Sequence, residues 1–396
     1  MPIILSVSSL LFPLATIPFI LGFYSKTHKV LPCALALGVA FGSAAVSMEV
    51  IAQGDLYRYI SATASYKDEP IEYIFTSKYS DSLLAALFFW LVANSIGPEA
   101  LPFFVGMIVY GSLSYIILDF AKSEYLSATA TCAAIVGMIF VTSFYGSVSS
   151  VRSSLAMCIG LGAIYRDAYK GKINFFTILL YIIPCYVHSA GFCILAVRIL
   201  GTLFKSHPIA AGIISGVSLP ILMQLSSYIA SIVPILGNIM NTIIDYSTWT
   251  DTGWAAEVAS SPFQRVLRLA NCFLIALLAI GCAIFLRRKN PETGRVDMFV
   301  RIILIGLCMT FGIAIFITSD VYLRFAYFFE SLGILIFVSK TSYLLNGKAS
   351  RNIIYLIAIL IIVISIMLVA LYMFQIRATV DIPSLLCAFL FGILSM

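Results

Sequence analysis

The sequence predicts an all-α integral membrane protein, a polytopic helical bundle of about 12 spanning helices with two short re-entrant or interfacial helices. Three observations carry that prediction. The 396-residue chain is 61% apolar and only 11% charged, a balance outside the range of soluble globular proteins. Its apolar residues gather in runs close to the ~20 residues that a helix needs to cross the hydrocarbon slab. The runs also lack the strand-type alternation of an outer-membrane barrel. A backbone in lipid must satisfy its own hydrogen bonds, so such runs form helices. The whole chain, 1–396, reads as a single transmembrane domain.

Taken in order, spans are expected near 3–23, 30–52, 101–120, 126–146, 150–166, 172–187, 189–204, 208–226, 264–286, 298–318, 323–339 and 352–374. The first run is long and no base precedes it, so it is expected to remain as a spanning helix rather than be cleaved as a signal peptide. Lys26 and Lys29 place the first turn in the cytoplasm, which puts the segment from 53 onward outside. Segment 82–97 is apolar but short, and Gly97-Pro98-Glu99 after it carries no base. If it spanned, the basic turn with Arg166, Lys170 and Lys172 would fall outside. It is therefore read as a re-entrant or interfacial helix that returns to the outer face. Two outer loops, about 53–100 and 227–263, are long enough to hold structure. The second contains Trp249 and Trp254, which suit either the interfacial aromatic belt or stacking on a sugar.

The remaining composition narrows the function classes. A net charge of +6 comes from bases scattered between apolar runs, which the positive-inside bias explains better than nucleic-acid binding. The nine cysteines have no CxxC spacing and read as small buried hydrophobes. Three histidines, His28, His188 and His207, are too few and too dispersed for a zinc site, so no metal or other cofactor is expected.

What remains is a set of polar residues on the expected outer face. The run 143–189 places Arg152 at the start of one apolar stretch and His188 at the end of the next, with the basic turn between them. Ionisable side chains at a membrane boundary are functional candidates by default. Gly54-Asp55-Leu56-Tyr57-Arg58-Tyr59, Glu69-Pro70, Arg265 and Asp320-Val321-Tyr322-Leu323-Arg324-Phe325-Ala326-Tyr327 join them. Arginine forks bind phosphate oxygens bidentately and stay charged, so Arg152 and Arg324 suit a pyrophosphate and the charge developing on a leaving phosphate. Asp55, Glu69 or neutral His188 could take a proton from an attacking hydroxyl. Each also has a plainer reading. An arginine at a span end can be a snorkelling anchor, Asp55 a helix cap, Glu69-Pro70 a turn, and His188 a partner for a local carbonyl. Glu330 inside span 323–339 would suggest ion coupling in a transporter, against pairing with a neighbouring hydroxyl.

The order of these residues resembles the EpsG/Wzy-type bacterial polysaccharide polymerases. The resemblance rests on Gly54-Asp55…Tyr59, Glu69-Pro70 and the short apolar segment after them. It continues with Val151-Arg152-Ser153-Ser154-Leu155-Ala156, a basic turn, Val187-His188-Ser189-Ala190 and Arg324-Phe325-Ala326-Tyr327-Phe328, from about residue 50 to 340. It implies a GT-C-like glycosyltransferase of the bacterial inner membrane with its active site facing the periplasm. Such an enzyme transfers a growing glycan from undecaprenyl pyrophosphate to an incoming lipid-linked repeat unit of O-antigen or exopolysaccharide, without a metal. The implied partners are undecaprenyl-pyrophosphate-linked oligosaccharide and membrane lipid, with a polysaccharide chain-length regulator as a further candidate. By position, Arg152 and Arg324 would bind the donor pyrophosphate, and His188 would orient it or exchange a proton. Asp55, Tyr59 and Glu69 would shape the acceptor side, with Arg58, Arg265, Asp320 and Tyr327 as further substrate contacts. The family often carries glutamine after the first arginine, where this chain has Ser153.

Three rivals remain at the level of sequence. A flippase or transporter of lipid-linked oligosaccharide would place its charges at mid-membrane depth on broken helices. A related O-antigen ligase or GT-C glycosyltransferase would share the arginines and differ in acceptor. A purely structural membrane subunit would need none of them.

Overall fold

The computed structural model describes residues 2–48, 50, 54–224, 262–287, 294–316, 322–344, 361–371 and 381–395. Among them the fold is all-helical, and the contacts gather it into two compact units. The first comprises Met1–Asp167, Gly171–Ile194 and Met373–Met396, and the second Ala168–Lys170 and Leu195–Tyr372.

In the first unit, helix α1 (Pro2–Leu11) stops at Phe12 and α2 (Pro13–Thr27) starts at once. The expected span 3–23 is therefore two helices. Pro13 has no N–H to continue the preceding turn, while its fixed φ suits the first position of a new helix. Helix α3 (Val30–Ser47) follows, then the short amphipathic α4 (Asp55–Ala64) and α5 (Leu83–Ser95). At 1.5 Å per residue the 13 residues of α5 reach ~20 Å, about the length of the later helices Ala128–Val141, Val151–Ile164, Phe175–Val187 and Ala190–Leu203. Next come α6 (Leu101–Ser123), α7 (Ala128–Val141), α8 (Phe144–Ser149) and α9 (Val151–Ile164), which runs into a π-turn over Tyr165–Tyr169. Helix α10 (Phe175–Val187) completes the run, and α11 (Ala190–Leu203) starts in this unit and continues from Leu195 in the second.

The core of this unit is the pair α3 and α6, packed nearly backbone to backbone. A Cβ added at Gly38 would lie 2.6 Å from the Met107 carbonyl oxygen, and one at Gly42 2.6 Å from that of Phe103. Beside this contact Phe41 stacks on Tyr110 with ring centroids 3.9 Å apart, and the Tyr110 hydroxyl donates to the Thr142 carbonyl at 3.1 Å. Tyr24 donates to the Leu118 carbonyl and Cys158 Sγ approaches the Val109 carbonyl, so α2, α7 and α9 all fasten to α3–α6. The chain's end returns to its start. After helix Ile382–Phe391, Gly392 takes a left-handed φ of 51° and the Ile393 N–H donates to Ser43 Oγ.

The second unit is built on α12 (Pro208–Gln224), α13 (Pro262–Arg287), α14 (Gly294–Phe316) and α15 (Leu323–Leu344), with a further helix at Ile361–Leu371. Helix α14 packs against α12, α13 and α15. Gly216 and Gly312 let α12 and α14 meet at backbone distance, since a Cβ at Gly216 would fall 2.9 Å from the Gly312 Cα. Along α13, Leu269, Phe273, Ile280 and Ile284 expose 69%, 49%, 53% and 41% of their surface on one stripe. A stripe of large apolar side chains over four turns, facing away from its own bundle, is what lipid would cover.

Four described helices are long and apolar enough to cross a membrane: Val30–Ser47, Pro98–Ser123, Arg265–Leu286 and Gly294–Ile315. Several other expected spans are shorter apolar helices, among them Ala128–Val141, Phe175–Val187 and Ala190–Leu203. The outer loop expected at 227–263, with Trp249 and Trp254, lies almost wholly outside the described residues, and so does Asp320.

Candidate functional site

The site is built on α4, α5, the turns between them and the first turn of α9. Gly54 is extended and Asp55 opens α4, where a carboxylate complements the positive helix end. Asp55 is the first residue of α4, and its carboxylate pairs with Arg58 one turn later. Leu56 and Thr63 face inward, which leaves Tyr57, Arg58 and Ser61 on the opposite face.

The segment from 65 to 82 is pinned by α5. Asn94 Oδ1 accepts from the Asp68 N–H at 2.9 Å, its Nδ2 donates to the Tyr66 carbonyl at 2.8 Å, and the Trp90 indole donates to the Glu69 carbonyl at 2.8 Å. Those bonds let Asp68 hold a left-handed φ of 61°. Tyr66, buried, donates to Ser77 Oγ at 2.7 Å, and burial pushes its phenol above the ordinary value, so that it remains a donor at neutral pH. Two 3₁₀ turns, Ile71–Phe75 and Ser80–Ser82, finish the fold of this segment.

Arg152 is the centre of the arrangement. It stands half-buried in the first turn of α9, whose Ser154 N–H bonds back to the Ser150 carbonyl. Its Nε donates to Tyr59 Oη at 3.3 Å and its Nη1 to Ser82 Oγ at 3.0 Å. Its guanidinium carbon sits 4.7 Å from the Tyr79 ring centroid and 5.9 Å from that of Tyr59. Tyr59 and Tyr79 stack on each other, and both rings contact Phe89. Aromatic rings and hydroxyls thus fix the plane of the guanidinium, and cation–π attraction adds to the hold. Ser82 precedes α5 but does not cap it; its hydroxyl is given to Arg152 instead.

Tyr79 also lines an open cleft of about 350 Å³, together with Tyr57, Arg58, Ser61, Tyr73 and Lys78. The cleft and Arg152 are therefore separated by a single aromatic side chain.

His188 ends α10, which packs against α9, α5 and the Ser80–Ser82 turn. The hairpin α9–α10 is held at its far end by Tyr181 donating to Asp167 Oδ2 and Arg166 Nε donating to Thr177 Oγ1, and Tyr165 ties it to α6 by donating to Asp119 Oδ2. An antiparallel hairpin of this kind returns His188 to the end where α9 begins. His188 Nδ1 accepts from the Ala190 N–H at 3.1 Å, and its own N–H donates to the Pro184 carbonyl. Its Nδ1 is thus an acceptor within the turn that joins the two helices.

Glu69 is exposed, and its backbone is held while its carboxylate faces outward. In the second unit, Arg324 is half-buried in the first turn of α15, Tyr327 is buried one turn later, and Arg265 is exposed in the first turn of α13. The residues brought together in the first unit are thus Arg152 and Tyr59, next to the cleft that Arg58 lines. Tyr79, Ser82, Lys78 and Tyr73 are members that the sequence reading did not single out as a site. The available signal was five tyrosines between 57 and 79. Among the described residues no three His, Cys, Asp or Glu side chains gather to hold a metal ion.

No family model, no curated protein and no solved structure matches this chain.

Proposed function

We propose that this protein is a membrane glycosyltransferase that polymerises lipid-linked oligosaccharide repeat units on the extracytoplasmic side of a bacterial inner membrane. The proposal includes a bundle of about twelve spans of the GT-C-like class, the shorter ones met by local thinning of the bilayer and by flanking residues that snorkel. In the reaction, the bond between the donor's anomeric carbon and the phosphate oxygen breaks, and undecaprenyl diphosphate leaves. A glycosidic bond forms to a hydroxyl of the acceptor repeat unit, and that hydroxyl's proton passes to a base. Only first-unit residues carry the reading here; Arg324 and Tyr327 enter solely as what the resemblance implies.

The observation that supports it is the preset guanidinium of Arg152 beside a cleft rich in tyrosine. A fixed cation next to an aromatic, hydroxyl-bearing cleft suits a substrate with a diphosphate at one end and sugar rings at the other. His188, whose Nδ1 accepts from the Ala190 N–H, stands at the end of the same hairpin. Of the two acids that the sequence singled out for proton transfer, Asp55 is engaged with Arg58 and Glu69 is exposed.

The test is synthesis of a polymer ladder by purified protein supplied with lipid-linked repeat units. His188→Asn keeps an acceptor oxygen near the place of Nδ1 and removes the rest of the imidazole. It is expected to retain the parent melting temperature and to lose about 10- to 100-fold in ladder formation. A full ladder from His188→Asn would remove His188 from the mechanism.

A second reading is favoured by one observation in the second unit. Glu330 on α15 is 1% exposed and Asn271 on α13 is 2% exposed, and each has an oxygen with no hydrogen-bond partner. Orphaned acceptors inside an apolar bundle are a place where a transporter could carry a proton or cation. Under the polymerase reading, Glu330→Gln leaves ladder formation near the parent level. Loss of ion-driven movement of lipid-linked oligosaccharide across proteoliposomes in Glu330→Gln, with no ladder from the parent, would decide for the transporter.

A further inference from the structure

We infer that the cleft beside Tyr79 is a binding subsite for an anionic sugar residue of the glycan, one bearing a carboxylate or other acidic substituent. The inference rests on the polymerase reading for its context but on the cleft alone for its chemistry. Its volume of about 350 Å³ is enough for a pyranose ring with room to spare, at the small end of ligand pockets in general. Tyr57, Tyr73 and Tyr79 supply aromatic faces, against which the C–H face of a pyranose packs well. Ser61 supplies a hydroxyl at the wall, able to donate or accept toward ring hydroxyls.

The charge of the wall selects among sugars. Two cations, Arg58 and Lys78, line the cleft, and no acid does. Asp55 largely offsets Arg58, whose guanidinium it pairs with. Lys78 is exposed, lies 5.9 Å from the Tyr79 ring centroid, and has no carboxylate within ion-pair distance among the described residues. An uncompensated ammonium at the rim of an aromatic cleft favours a ligand that brings its own negative charge. Asn94 and Trp90 hold residues 66–69, Tyr66 bonds to Ser77, and Tyr79 packs on Tyr59 and Phe89, so most of the wall is in place before any ligand arrives and little ordering opposes binding.

The full chain in nanodiscs of neutral phosphatidylcholine, fluorescently labelled, is applied to an array of immobilised bacterial oligosaccharides that includes uronate-containing glycans and their carboxyl-reduced counterparts. The expected result is retention on acidic glycans over their reduced counterparts. Lys78→Gln should weaken the acidic set about tenfold, as loss of one charge-assisted hydrogen bond implies, with the neutral set unchanged. Ser61→Trp, which fills the cleft from an outward position on α4, should abolish both. The inference is overturned if acidic and reduced glycans are retained equally, if no glycan is retained, or if Lys78→Gln changes nothing. It is overturned as well if added phosphatidylglycerol headgroup competes as strongly as the glycan, because the cleft would then be a lipid site. Ladder synthesis reads the parent proposal separately. A ladder from neutral repeat units alone would defeat the acidic subsite and leave the polymerase standing.

Discussion

Arg152→Ala is expected to abolish the polymer ladder, a loss on the order of 10²- to 10³-fold or more, with the melting temperature close to that of the parent. The side chain is held by Tyr59, Ser82 and Tyr79, and each of those keeps other partners when it is removed: Tyr59 and Tyr79 still stack, and both still contact Phe89. The aromatic cradle therefore survives the truncation, and a drop in activity reports the missing charge. Arg152→Lys should recover little. An ammonium cannot donate in two fixed directions to Tyr59 and Ser82 while lying flat on a ring, so its charge would be present but not aimed. Tyr59→Phe removes only the 3.3 Å contact and keeps the ring, so its effect should be much milder, about three- to tenfold. Graded loss in the order alanine, lysine, phenylalanine is what aiming of a cation predicts. A complete ladder from Arg152→Ala would end the proposed mechanism outright.

How much of this was legible beforehand differs by element. The helices follow from run length and composition, because in lipid the backbone has no other way to satisfy itself. Helix α5 is short because its apolar run is short, lying between Ser82 and Gly97-Pro98. The break at Phe12 was readable too, since Pro13 announces the first position of a new helix, yet continuous hydropathy across 3–23 concealed it. The Asp55–Arg58 pair lies three residues apart on one helix, a spacing visible in any sequence. The cradle of Arg152 was not visible in this sense. Tyr59 stands 93 residues away and Ser82 70 away, and nothing local to either one states that they meet. The role of His188 is subtler still. Composition marks it as titratable, but only the tight turn to Ala190 fixes which ring nitrogen is the acceptor. Long-range contacts and tautomers are properties of packing, and a single sequence carries them without displaying them.

Gly42→Leu is expected to destabilise the protein by about 3–5 kcal/mol or to prevent its accumulation in the membrane, the largest stability effect foreseen for a single change. Gly38 and Gly42 are one turn apart on α3, and opposite them on α6 stand Gly106 and Gly111. A Cβ at Gly42 would already meet the Phe103 carbonyl oxygen at 2.6 Å and the Phe103 ring at 3.1 Å, so a leucine can be housed only by separating the helices. In lipid there is no hydrophobic gain to offset that, because tails solvate a leucine as well as a helix does; close van der Waals packing is what holds such a pair together. Separation would also part the Phe41–Tyr110 stack and slacken the Tyr110–Thr142 bond, and α6 is the helix against which α9 and its Arg152 are packed. The control is Gly22→Ala on α2, where an added Cβ meets nothing within 4 Å. There the smaller backbone entropy of alanine should leave stability equal or raise it by about 0.5–1 kcal/mol. Melting curves of the two variants in one detergent compare an interior contact with an open helix surface, each starting from glycine. A Gly42→Leu protein that melts with the parent would mean that α3 and α6 do not meet at backbone distance, and the scaffold assigned to Arg152 would lose its foundation.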